Sequence, residues 1–118
     1  MDAEELKTRT RAFALRVIKL VESLPKTQTA TVIGGQLLRC GTSVGANYRA
    51  SCRARSRADF IAEMAIVEEE ADESIYWIQL LVDAGLVNQE RVANLLNEAD
   101  QLLSIIVSSI NTARGGRR

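Results

Sequence analysis

The sequence predicts an all-α protein, an antiparallel up-down four-helix bundle. Three observations carry that reading. Apolar residues recur at three- and four-residue spacing along four long stretches. Only short turn-forming segments separate those stretches, which favours antiparallel neighbours. The chain has a single proline, Pro25, and five aromatic residues, Phe13, Tyr48, Phe60, Tyr76 and Trp77, too few turn and β-forming residues for a β fold. At 118 residues the length suits one domain that buries its core without staples.

The first helix is expected over about residues 3–24, with Leu6, Phe13, Val17, Leu20, Val21 and Leu24 on its apolar stripe. Pro25 stops it, and PKTQT forms the connection. The second is expected over 29–53, with Ile33, Leu37, Cys40, Val44 and Tyr48 in line. Gly34 and Gly35 fall near its first turns, where fraying softens their cost of about 1 kcal/mol each. Gly41, Ser43, Gly45 and Ala46 leave a face that another backbone can approach closely. Asn47 is expected to be buried and to bond across helices.

Ser56 reads as an N-cap, with Asp59 three residues on as a variant capping box. The third helix is expected over 58–84, with Phe60, Met64, Val67, Ala71, Ile78, Leu81 and Val82 on its main stripe. A second set, Ile61, Ile75, Tyr76, Trp77 and Leu80, widens the stripe beyond one neighbour's needs, which favours an oligomer. Gly85 is placed to end this helix, with Leu86 as its apolar contact. Asn88 is expected to cap the fourth helix, 88–113, which carries Val92, Leu95, Leu96, Ala99, Leu102, Leu103, Ile106 and Ile110. Residues 114–118, RGGRR, are expected to be a frayed basic tail.

Several kinds of chemistry find no support. The chain has no histidine, which removes the commonest general base and every Ser–His or Cys–His pair. No P-loop or dinucleotide fingerprint is present. Glu63, Glu70 and Glu73 share roughly one face and form the only candidate for a hard cation; a solvated or ion-paired face is the commoner fate of such a cluster. No catalytic residue, cofactor, metal or small-molecule substrate is therefore expected. Cys40 and Cys52 are twelve residues apart, about 18 Å if on one helix, too far for a disulfide. They read as small core or interface residues. Free thiols and a charged N-terminus without an apolar core point to a cytoplasmic protein away from the membrane.

Charge is segregated although the net charge is zero. Through Arg57, eleven Lys and Arg residues stand against four Asp and Glu. From Ala58 to Thr112 one basic residue, Arg91, stands against eleven acidic ones. Such asymmetry suggests either a nucleic-acid partner or a basic half folded on an acidic half. The stretch ANYRASCRARSRADF, 46–60, concentrates the question. Arg49, Arg53 and Arg57 are four apart and line one side of the helix leading into the turn, with Arg55 beside them and Arg39 further back. In an antiparallel hairpin about residue 56, Arg53 would face Asp59 and Arg49 would face Glu63. Those pairs leave Arg39, Arg55 and Arg57 unexplained, as they do Lys7, Arg9, Arg11, Arg16 and Lys19 on the first helix.

Residues 37–81 carry a resemblance. Arg39, Ser43-Val44, Gly45-Ala46-Asn47, Arg55-Ser56 and Phe60-Ile61, followed by a long helix, resemble the pattern of the 23S rRNA-intervening-sequence proteins. Many of those proteins read Glu-Gly where this chain has Ala50-Ser51, which makes the surface here more basic. The resemblance implies a homopentamer of four-helix bundles around a central channel. It also implies kinship with the accessory protein of diversity-generating retroelements, which looks like a basic barrel that binds nucleic acid.

The sequence therefore leads to an oligomeric, non-catalytic bundle that binds structured RNA or other nucleic acid, with Arg39, Arg53, Arg55 and Arg57 as the leading contacts. The alternative is a structural or protein-interaction module whose arginines serve folding and assembly.

Overall fold

A computed structural model describes residues 1–115, which form four helices and, among those residues, no strand. Helix α1 spans Ala3–Glu22. Its start is a full capping box: Asp2 Oδ1 accepts from the Glu5 N–H at 2.8 Å, and the Asp2 N–H donates to Glu5 Oε1 at 3.1 Å. The helix ends two residues earlier than expected. Pro25 bars the residue before it from helical dihedrals, so Leu24 leaves the helix yet stays buried.

Helix α2 spans Gln28–Ser51, and Thr27 caps it by accepting from the Ala30 N–H at 3.2 Å. It too stops short of its expected end. The Ser51 hydroxyl turns back to Tyr48 O at 2.7 Å, and the next N–H groups, of Arg53 and Ala54, make only tight three-residue turns. Helix α3 spans Arg57–Asp83, capped by Ser56 as predicted, its Oγ accepting from the Asp59 N–H at 3.0 Å. Its end is a Schellman motif: Gly85 has φ +75°, the Leu86 N–H bonds Leu81 O, and the Gly85 N–H bonds Val82 O, both at 2.9 Å. Helix α4 spans Gln89–Ala113. Asn88 sits at its N-cap in extended conformation, but its side chain makes no capping bond, contrary to expectation.

The helices follow one another around the bundle, and the α1–α4 seam is the sparsest. A partly buried fork closes that seam: Arg9 Nε and Nη2 donate to the two oxygens of Glu98 at 3.0 and 2.7 Å, and Nη2 also reaches Gln101 Oε1 at 3.1 Å. One continuous apolar core runs through all four helices, with Phe13, Leu37, Met64, Ile78, Leu102 and Ile106 fully enclosed.

The close face expected on α2 is real and turns toward α1. A Cβ on Gly41 would lie 2.9 Å from both Val17 methyls, and one on Gly45 would lie 3.1 Å from Thr10 Oγ1. Gly34 belongs to the same contact, since its Cβ would meet Leu24 at 3.0 Å; fraying is not its reason, whereas Gly35 faces open space. The second stripe of α3 is largely used within the bundle. Ile61, Ile75, Trp77 and Leu80 pack half-buried against the core because α3 touches both α2 and α4, and only Tyr76 stands clear. Among the described residues no helix is long and apolar enough to cross a membrane.

Candidate nucleic-acid interface

The up-down order brings the start of α1, the end of α2, the α2–α3 turn and the end of α4 to one end of the bundle. Arg53 and Arg55 lie in that turn and Arg57 is the first residue of α3; all three are exposed. Backbone bonds within the turn, together with the Ser56 cap, satisfy the chain locally and leave these guanidinium groups in solvent. Among the described residues no carboxylate lies within 4.0 Å of Arg49, Arg53, Arg55 or Arg57.

The pairs of Arg53 with Asp59 and Arg49 with Glu63 therefore do not form. The reason is rotational. Arg49 is one turn beyond Gly45 and so sits on the α1 side of α2, whereas the row that faces α3 is Arg39, Ser43 and Asn47. Among the described residues Glu63 Oε1 is buried without a hydrogen-bond partner.

Arg39 is placed differently from the other three candidates. It lies away from the basic end, and its Nη2 donates to Glu73 at 3.0 Å and its Nη1 to Glu70 at 3.2 Å. Those carboxylates raise its pKa, the Glu73 hydrogen bond most and the Glu70 charge next. The Ser43 hydroxyl donates to the same Glu70 oxygen at 2.8 Å. Two members of the acidic face considered for a cation thus hold an arginine instead, and among the described residues no group of three or more acidic or cysteine side chains is arranged to hold a metal. Asn47 is half-buried and donates to Ser43 O of its own helix at 3.0 Å, not across helices.

Of the two thiols, Cys40 is buried as expected and Cys52 is exposed beside the arginine turn. Burial raises the Cys40 pKa against an opposing contact from Ser74. Tyr48, one turn before Cys52, is also pushed up, by burial first and by Cys52 second. Arg114 closes α4 at the same end, and Gly115 follows with φ +80°. Positions 116–118 of the expected tail lie outside the described residues.

Sequence reasoning left the cations of α1 without a place. The structure sets Lys7 and Arg11 across a groove from Arg49, at the same end as the turn. The helical spacing of Gly45 and Arg49 was the signal that could have found this, once Gly45 was known to face α1.

Fold and charge together define a small all-α bundle with one cationic end and an acidic α3–α4 half. Residues 4–108 match the family described as 23S rRNA-intervening sequence protein, and the chain belongs to that family. It is similar to a solved structure of a protein with unknown function from the S23 ribosomal protein family of Bacteroides thetaiotaomicron VPI-5482. The two are 34% identical over 94% of this chain and 99% of that chain, with a TM-score of 0.87. No curated protein matches.

Proposed function

We propose that the protein is a non-catalytic, homo-oligomeric bundle that binds nucleic acid, structured RNA above all, through its cationic end. The observation that carries this reading is the set of exposed arginines, Arg53, Arg55 and Arg57, gathered on one turn and without carboxylate partners among the described residues. Arg57 adds to it. A cation at the first position of a helix opposes the macrodipole, at a cost of about 0.3–1 kcal/mol. A residue that weakens its own helix fits a role outside the fold. Arg39 would contribute less, since two carboxylates already balance its charge.

Oligomerisation, as the pentamer the family resemblance implies, is part of the proposal. Val32, Ile66 and Tyr76 are exposed on α2 and α3 and give a second copy apolar surface to cover. Repeating the cationic end around a ring would sum weak phosphate contacts. The proposed compartment is the cytoplasm, where both thiols stay reduced.

The test is affinity for a ribosomal RNA stem-loop across a salt series. A log–log slope of several units supports the reading, because each phosphate contact contributes about 0.7–0.9 to it. Arg55→Glu with Arg57→Glu should abolish binding while the oligomer, followed by light scattering, survives. A second reading, an assembly module, is favoured by Arg39, a basic residue that pairs two carboxylates of the neighbouring helix. It would gain if the same variant lost assembly, or if the wild-type protein ignored RNA at low salt.

A further inference from the structure

The groove between α1 and α2 has no part in the sequence's list of contacts, yet its chemistry is selective. It encloses about 580 Å³ and opens at the cationic end. Its depth comes from missing side chains: Ala14, Gly45 and Ala46 line it, and Gly45 lets α1 approach until Thr10 would touch a Cβ there. Lys7, Arg11 and Arg49 stand on its walls against a single carboxylate, Glu4. Glu4 is taken by Lys7 at 3.3 Å, while Arg11 and Arg49 have no carboxylate within 4.0 Å among the described residues.

The hydroxyls sharpen the selection. Thr8 donates to Glu4 O at 3.0 Å, Thr42 to Leu38 O at 2.7 Å and Thr10 to Leu6 O at 2.9 Å. Each has its one proton committed to its own helix, so the donors left for a ligand are those of the cations. A group that only accepts, carries negative charge and is narrow enough for a cleft between two helices meets that offer, and a phosphodiester does. Arg49, on the groove wall, is four residues before Arg53, so the groove's cations lie next along the chain to the arginine turn.

We propose that this groove seats part of the phosphodiester backbone of the bound nucleic acid, through Lys7, Arg11 and Arg49, and passes it to the turn at Arg53–Arg57. The assignment rests on the nucleic-acid reading above. The test uses the labelled ribosomal stem-loop and two groove variants. Arg11→Gln with Arg49→Gln removes the free cations. Ala46→Phe fills the groove at an exposed helical position and leaves every charge in place. Circular dichroism should show both as helical as the wild type. The expected result is a salt slope lower by about 2 for the double variant and affinity weakened about tenfold by Ala46→Phe. Wild-type affinity and slope in both variants would overturn the groove while sparing the arginine turn. A lower slope in the first with normal affinity in the second would also overturn it, since the cations would then act only as a general field. If the wild-type protein itself fails to bind at low salt, the nucleic-acid reading falls and the groove assignment with it.

Discussion

Arg39 on α2 donates to Glu73 on α3 at 3.0 Å, and the two stand ten residues farther from the turn than Arg49 and Glu63 do on the same pair of helices. The register read from the sequence is thus the register of the hairpin, but it is filled at a different rung. Glu70 is the better-buried carboxylate of this cluster, 15% exposed against 48% for Glu73, and it accepts from both Arg39 and Ser43.

Glu70 should therefore matter more than Glu73. Glu70→Ala removes the acceptor that Arg39 and Ser43 share, leaving the Ser43 hydroxyl only Cys40 O at 2.9 Å, and is expected to lower stability by about 1 kcal/mol. Glu73→Ala removes a surface contact only and should fall within about 0.5 kcal/mol of the wild type. Urea titration of the two variants decides the order. Equal losses would mean that the cluster does not discriminate its two carboxylates.

Two glycines of α2 make opposite predictions for one substitution. Gly41→Ala places a methyl 2.9 Å from the Val17 side chain on the close α1–α2 contact. Overpacking of about 1–3 kcal/mol there outweighs a propensity gain of about 1 kcal/mol, so the variant should lose stability. Gly35→Ala meets nothing within 4 Å and keeps the propensity gain, so it should be stabilised by up to about 1 kcal/mol. Thermal melts of both proteins against the parent read the two signs directly.

The four helices were legible because period, proline and caps agree. Ser56 and Gly85 do in the structure what their residue types announce. The capping box at Asp2 was there to be read, with Glu5 three residues on. Partners across helices were less legible. A hairpin register gives height along the axis, but Arg49 and Arg39 differ in rotation, and rotation was fixed only by knowing that Gly41 and Gly45 face α1. The end-clustering of Lys7 and Arg11 with Arg49 is a consequence of topology, which local spacing does not contain. Asn47 shows the same limit, since its amide finds Ser43 O within its own helix.

The two thiols should react very differently. Cys52 is exposed beside the turn, whereas Cys40 is buried under α3 with its pKa raised by that burial, and only the thiolate reacts. Titration of the native protein with a thiol reagent should therefore modify Cys52 promptly and leave Cys40 unreacted until denaturant is added. Cys52→Ser should abolish the fast phase. Prompt reaction of both thiols would require α2 and α3 to open on the time of the assay.

Tyr48 makes the alkaline side of the stability profile a test of the core. Its phenol is buried at the end of α2, and burial, reinforced by Cys52, holds its pKa above the ordinary value of 10.0. Cys40 is shifted in the same direction from 9.0. A group whose pKa is higher in the folded state keeps a proton that the unfolded chain releases. Its contribution is complete below the unfolded value and is lost as pH rises from there toward the folded value. Stability should thus hold through neutrality and decline above about pH 9, first as unfolded Cys40 ionises and then more steeply as Tyr48 does. Tyr48→Phe keeps the ring in the core and deletes the titrating group. Its denaturation midpoint should fall less between about pH 9 and pH 11 than that of the parent. Parallel profiles for the two proteins would show that the phenol is not held neutral by the fold.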